Sequence, residues 1–484
     1  ITDLVGSVCV ENLYDNLTYP DETPNLATDW EASPDGLEYT FHLKEGVKFH
    51  SGNDLTASDV VFSFNRFKTI GQGFAYLFDT VEECVADDDY TVRFVLAEPL
   101  GSFMGIIWHL YILDEETVMA NIVDDGTYGE YGDYAMAWLL DNDAGSGPYT
   151  ATEMVHSDYF LASRFPDWHM GWEGRENAPE QFQAIYLTEP STQQTMMANQ
   201  ELEISSPWFA PENYEALDEI EGVELAFTTW ACTQYIFFNT QAAPTDDLNY
   251  RKALSCLLDY ESFLGPVFYG AERSVGPVSS AINGHNDSCT TYNYDIEQAK
   301  EYLAQSRYAD TYQDIELECF LLDSAPALEK MMLSLQANCA QVGITMNIRK
   351  GPWLTYQEQI SNPDSAPNVS TCNITPSVND AASVMRTLFG SATQGTFENP
   401  TWVSTPELDE RLDTAVTILD TDERNAAAME LQDYVMAELC ASAPVADMAN
   451  PYAYQSTYID WPVADYYNET GELKYYALGM DMYM

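Results

Sequence analysis

Positive charge is scarce in this sequence. Nineteen Lys and Arg face 78 Asp and Glu across 484 residues, for a formal net charge of −59 with the six histidines neutral. That balance excludes nonspecific nucleic-acid binding, which needs a basic footprint. It also disfavours docking of the protein body on an anionic membrane surface. No apolar run reaches the roughly 18 residues that a membrane-spanning helix needs. None of the nine cysteines (Cys9, Cys84, Cys232, Cys256, Cys289, Cys319, Cys339, Cys372, Cys440) belongs to a CxxC pair, and none has zinc-ligand spacing. Their odd number leaves at least one unpaired within the chain. Disulfides in an oxidising compartment and buried thiols acting as small apolar residues both remain open. The histidines His42, His50, His109, His156, His169 and His285 show no metal-ligand spacing either. There is no GxSxG elbow, P-loop, HExxH or dinucleotide fingerprint. Carboxylates are so abundant that no pair stands out as a glycosidase dyad. An enzyme is not expected, and neither is a cofactor.

What is present is enough apolar material for sizeable cores, 46% of residues, in a chain long enough for two or three domains. Acidic residues occur along the whole length, as a solvated coat would place them. The most informative stretch is Pro24 to Arg66. Ser33-Pro34-Asp35-Gly36 is a turn, with Pro fixing one φ and Gly accepting a positive one. Leu37, Tyr39, Phe41 and Leu43 alternate with polar residues as a half-buried strand. Ser51 to Asp54 forms a second turn. Thr56 and Asp59 have capping-box spacing before a helical stripe of Val60, Phe64 and Phe67, with Val61 beside it.

Further along, Asp247 to Asp259 reads as a helix with Tyr250, Leu254, Leu257 and Leu258 facing a core. Asp295 and Gln298 form another capping box. Pro326 opens a helix whose apolar residues are Leu328, Met331, Met332 and Leu335. Gly343 stops it, and Ile344, Met346 and Ile348 alternate as the next strand, which predicts an α/β crossover unit. Asp141 to Gly145 resembles a calcium loop only faintly. It lacks the Asp-Gly order and distal Glu of an EF-hand, so a plain turn is expected.

The order of these elements resembles the extracellular solute-binding proteins of family 5, the peptide/nickel-type receptors of ABC importers. Pro24, Leu26, Ala27, Trp30, Ser33, Asp35, Gly36, Tyr39, Thr40, Phe41, Leu43, Lys44, Gly46, Val47, Phe49, His50, Gly52, Leu55, Thr56, Ala57, Asp59 and Val60 match that family's signature. Most of these residues build turns and core, so His50 is expected to be a hydrogen-bonded structural histidine. Gly145-Ser146-Gly147-Pro148-Tyr149, Phe165-Pro166-Asp167-Trp168, Phe237-Phe238-Asn239-Thr240 and Thr405-Pro406-Glu407-Leu408-Asp409 resemble later landmarks in the expected order. In the second of these, Phe165 stands where the family has Asn.

The resemblance implies a two-lobed α/β fold like that of periplasmic binding proteins (class II, cluster C type), with a hinge crossed twice. Residues 1–240 with 445–484 would form the first lobe, with an extra subdomain at about 20–165, and 241–444 the second. The chain begins at Ile1, and the family's opening strand with its Leu-Asp-Pro element is not found before Tyr14 to Leu17. A removed leader and an absent first strand are therefore expected. The implied location is extracytoplasmic, with the membrane reached only through an N-terminal lipid anchor outside this sequence. The implied partners are an ABC permease and a small-molecule or peptide ligand, with the protein itself a monomer.

Family ligands sit between the lobes. The ring-bearing candidates to line that site are Trp208, Trp230, Tyr235, Trp353, Tyr356 and Trp402. Peptide-binding relatives carry a Gly-Trp-x-x-Asp-x-x-Asp-Pro stretch, whose first Asp pairs with the peptide's α-ammonium. Here Ile374 replaces the Trp and Ser377 the amine-binding Asp. Asp380 remains, in position to cap the following helix. The Arg that holds a dipeptide carboxylate is missing from Leu321-Leu322-Asp323-Ser324. An oligopeptide held by backbone contacts is the leading expectation. An oligosaccharide or other small neutral solute is the alternative, and nickel or a nickel chelate a weaker one.

Overall fold

The computed structural model describes residues 10–461, apart from 20–21, 125, 157, 188, 208 and 324. The chain forms two compact units. One comprises Ile1–Ser206, Ala216–Ala226 and Ala453–Met484, the other Pro207–Glu215 and Phe227–Tyr452. Two of the chain's passages between them fall within the long strands Val223–Phe238 and Ser442–Gln455.

The first unit holds a four-stranded antiparallel sheet in the order Ala27–Ala32, Glu38–Leu43, Thr91–Leu96, Val81–Asp88. The turn that starts it is built as its sequence predicts. The Ser33 hydroxyl donates to Asp35 at 2.6 Å and accepts the Glu38 N–H at 2.9 Å, with Gly36 at φ 67°. Tyr39, Phe41 and Leu43 are buried and their neighbours are not. Phe41 meets Phe94 edge-on at 5.7 Å, and Phe94 meets Phe64 of the helix Ala57–Ile70 at 5.6 Å. Each such ring contributes on the order of 1.5–3 kcal/mol by leaving water. At the start of that helix, the Thr56 N–H and hydroxyl both donate to the Asp59 carboxylate. Phe62, outside the expected stripe, is also buried, against Tyr134 at 6.1 Å. This helix therefore packs on two sides, which its single apolar stripe does not reveal.

A second, three-stranded antiparallel sheet joins Tyr149–Val155, Tyr159–Arg164 and Gln181–Ile185. It is tied to the first part of the unit through His50. One ring nitrogen of His50 lies 2.6 Å from Asp143 and the other 2.9 Å from the Gly147 carbonyl. Asp143 also accepts the Ala151 N–H at 2.7 Å. The acidic turn Asp141 to Gly145 is thus a structural clasp, and Asp143 spends its oxygens inside it. Gly145 must be glycine, because a Cβ there would overlap the Leu13 carbonyl. Phe165, the departure from the family pattern, lies edge-on to the His50 ring at 4.8 Å.

The second unit is organised on a six-stranded sheet in the order Thr345–Gly351, Glu316–Leu322, Val369–Ile374, Val223–Phe238, Ser442–Gln455, Glu272–Arg273. Glu316–Leu322 and Thr345–Gly351 run parallel, joined by the helix Pro326–Gln341, which is the crossover unit read from the sequence. Leu328, Met331, Met332 and Leu335 of that helix are buried in the unit's main core. So are Tyr250, Leu254, Leu257 and Leu258. Arg251 is buried among them and, among the described residues, forms no direct ion pair. Its guanidinium instead donates to the carbonyls of Thr245, Leu439 and Cys440 at 2.6–3.1 Å. Burial lowers its pKa from the usual value.

Candidate ligand site

Within the second unit, one helix and one loop gather rings and a carboxylate. The strand Thr345–Gly351 ends where Pro352 starts the helix Trp353–Ile360. Gly351 allows this tight exit, since a Cβ would come 2.8 Å from the Phe320 ring. Trp353 and Tyr356 are one helical turn apart, so their rings stack, with centroids 5.7 Å apart and planes 20° off parallel. Tyr356 is fully buried, while Trp353 remains 38% exposed. Phe397 approaches Trp353 edge-on at 5.3 Å.

Phe397 comes from a loop that hydrogen bonds hold in one shape. Asn399 donates to the Gly390 carbonyl at 2.8 Å and the Thr393 hydroxyl at 3.1 Å, and accepts from the Thr401 hydroxyl at 2.7 Å. Trp402, at φ 55°, closes the loop by donating its indole N–H to the Ile360 carbonyl at 3.2 Å. Between Phe397 and Asn399 stands Glu398. Burial raises its pKa from the ordinary 4.5. Its charge in turn raises the pKa of Cys372, a buried thiol on the strand Val369–Ile374 that burial pushes up to about 12.

The other residues singled out in the sequence fall in different places. Tyr235 is buried, stacked on Phe237 at 5.1 Å, with its hydroxyl donating to the Pro277 carbonyl at 2.9 Å. Asp380 is buried as the N-cap of the helix Ala381–Phe389. It accepts the Ser383 N–H at 2.8 Å and Arg424 Nε at 2.6 Å. Ser377 is half-buried in the segment before it. Trp208 lies outside the described residues. Trp230 stands in the strand Val223–Phe238, its side chain likewise outside the described part.

The structure therefore brings Trp353, Tyr356 and Trp402 onto one helix-and-loop assembly. Tyr235 and Asp380 are committed to other partners. Phe397 and Glu398 escape a reading of the sequence. One acid among 78 carries no signal of its own, and the Phe-Glu-Asn-Pro order gives no hint of the burial that raises its pKa.

Three comparisons place the chain among known proteins. A probable D,D-dipeptide-binding periplasmic protein of Escherichia coli is 25% identical over 436 residues, covering 90% of this chain and 79% of that protein. Heme-binding protein A of Haemophilus influenzae is 26% identical over 433 residues, 84% of this chain and 75% of that one. Among solved structures, the ABC transporter-associated periplasmic binding protein DppA of Helicobacter pylori, in complex with the peptide STSA, superposes with a TM-score of 0.76. That match has 21% identity and covers 100% of this chain and 94% of that one. The likeness shows the fold to be the two-lobed α/β fold of periplasmic binding proteins. The family model for bacterial extracellular solute-binding proteins, family 5, matches residues 22–396. The chain belongs to the bacterial extracellular solute-binding proteins of family 5.

Proposed function

We propose that this protein captures an oligopeptide outside the cytoplasm and hands it, chemically unchanged, to an ABC importer. The observation that carries this reading is the match over its whole length to a binding protein solved with a four-residue peptide. The similar protein of Escherichia coli, whose name gives it a dipeptide ligand, supports it. The protein acts as a receptor and performs no catalysis. It works as a monomer, and an N-terminal lipid anchor holds it at the membrane. Among the described residues, no helix is long and apolar enough to cross a membrane.

The peptide is held differently from one in a dipeptide clamp. Ser377 stands in place of the amine-binding Asp, and no Arg lies in Leu321 to Ser324. One observation favours a second reading, a non-peptide solute: a relative of similar identity is a heme-binding protein.

The test is a calorimetric titration of the purified protein with synthetic peptides of two to nine residues, alongside haem and neutral oligosaccharides. Saturable heat with peptides alone is the expected result. Saturation by haem or an oligosaccharide, with no response to any peptide, overturns the peptide reading.

A further inference from the structure

The turn at residues 145–149, which leads into the three-stranded sheet, is held by two histidines with buried side chains and very different neighbours. His50 has its Nδ1 2.6 Å from the Asp143 carboxylate and its Nε2 2.9 Å from the Gly147 carbonyl. His169 has its Nδ1 3.1 Å from the Lys44 ammonium and its Nε2 3.4 Å from Asp15. Asp15 in turn accepts the Ser146 hydroxyl at 3.0 Å. The side chains of His50, Asp143, His169 and Asp15 are each at most 5% exposed.

These contacts assign the ring protons. An ammonium has donors only, so Nδ1 of His169 accepts from Lys44. The His169 proton then sits on Nε2, facing Asp15, and the ring is neutral. A carboxylate and a carbonyl offer only lone pairs, so both nitrogens of His50 donate. A neutral His50 would set a ring lone pair against one of these oxygens. Asp143 is suited to be the anion of the pair, because it also accepts the Ala151 N–H at 2.7 Å and the Gly145 N–H at 3.4 Å.

Other titratable groups stand one step back from the His50 ring. The neighbouring Ser51 hydroxyl donates to Asp114, and Lys48 pairs with Asp54 in the open. Behind Asp143, the Tyr14 hydroxyl receives the Ala144 N–H. Burial and the Asp143 charge raise the Tyr14 pKa, against a lowering by Arg66, so Tyr14 stays protonated. Phe165 lies edge-on to the ring at 4.8 Å.

We infer that His50 and Asp143 form a pH-sensitive clasp, in which His50 is held as the doubly protonated imidazolium and the turn is released when one ring proton leaves. That proton passes to water. A ring lone pair is left facing the Gly147 carbonyl or the Asp143 carboxylate, and Asp143 stays buried without its cation. The charge-assisted hydrogen bond across 2.6 Å goes with it. The clasp joins two parts of the first unit. The His50 N–H donates to the Gly145 carbonyl at 2.8 Å, and Asp143 holds Ala151 in the first strand of the three-stranded sheet. The stabilisation is present while the ring holds both protons and is lost as pH rises through its titration. His169 is the internal control, a neutral histidine beside the same turn.

Side-chain nitrogen NMR of the full chain, labelled at histidine, reads ring protonation directly. The His50 signals are identified by their loss in His50→Gln or, should that variant not fold, by their contact with the Phe165 ring. At about pH 7 His50 is expected to carry protons on both nitrogens, and His169 on Nε2 alone. Hydrogen exchange, expressed as protection over the intrinsic rate, follows the turn up to about pH 9, beyond the usual histidine range. Protection of the Ala151 amide is expected to fall about tenfold or more as His50 loses its second proton, the scale of one hydrogen bond to a charged group. Asp143→Asn is expected to leave His50 with one ring proton at about pH 7 and to remove the pH dependence. If that variant does not fold, the wild-type measurements decide alone. One ring proton on wild-type His50 at about pH 7, or Ala151 protection that stays constant up to about pH 9, overturns the inference.

Discussion

Arg424 donates from Nε to the Asp380 carboxylate across 2.6 Å, and both residues are buried. The same carboxylate caps the helix Ala381–Phe389 through the Ser383 N–H. Arg424 also holds the Ile418 carbonyl at 2.9 Å. Asp380 therefore ties two segments of the second unit together and has no oxygen idle. Replacing it with Ala removes the cap and strands a buried guanidinium. The expected loss is about 3–5 kcal/mol, read as a lower urea midpoint. Removing both partners in Asp380→Ala/Arg424→Met should recover much of that loss. An unchanged midpoint in the single variant would show that the pair is not buried as described.

Glu398 should behave in the opposite way. Its folded pKa is raised above the ordinary 4.5. The unfolded chain therefore gives up this proton at lower pH than the folded one does. Below the ordinary value the group costs nothing, and stability falls as pH rises from there through the raised folded value. Glu398→Gln should accordingly melt at a higher temperature than wild type at neutral pH, with the gap closing in acid. Equal melting of the two proteins across the pH range would contradict the desolvation of Glu398.

The cysteines should be silent. Among the described residues eight are free and buried. Burial pushes Cys232, Cys256, Cys289, Cys339 and Cys372 each up to about 12, which leaves no thiolate near neutrality. A thiol reagent should modify at most Cys9 in the native protein and all nine cysteines in urea. Reductant should leave the melting temperature unchanged. Fast labelling of several thiols in the native state would count against these cores.

The acidic coat makes a further prediction about salt. At −59 the native state repels itself. Raising ionic strength from about 0.01 M to about 1 M shortens the screening length from about 30 Å to about 3 Å. Melting temperature should rise steadily over that range. A flat or falling curve would mean that attractive pairs such as Lys48–Asp54 and Arg93–Asp87 outweigh the general repulsion.

Local physics was legible in the sequence where neighbours in the chain supply the partners. The Ser33–Gly36 turn, the alternating strand after it, the caps at Asp295 and Asp380 and the crossover helix Pro326–Gln341 all follow from residues a few positions apart. Partners distant in sequence were not legible. Arg424 reaches Asp380 over 44 positions, and Asp143 reaches His50 over 93. Aromatic rings were the hardest to place. Tyr235 and Trp353 look alike as isolated rings between strands and helices, yet one is sealed against Phe237 and the other faces outward. The burial that raises the pKa of Glu398 comes from residues distant in the chain, and spacing does not record that.

The proposed function requires that this solute-binding protein hold a peptide. Native mass spectrometry of the protein as purified, followed by release and sequencing of whatever is bound, tests it most directly. Extra mass that leaves as intact peptides is the expected result. Release of a haem, a glycan or another non-peptide solute from the same preparation would contradict it.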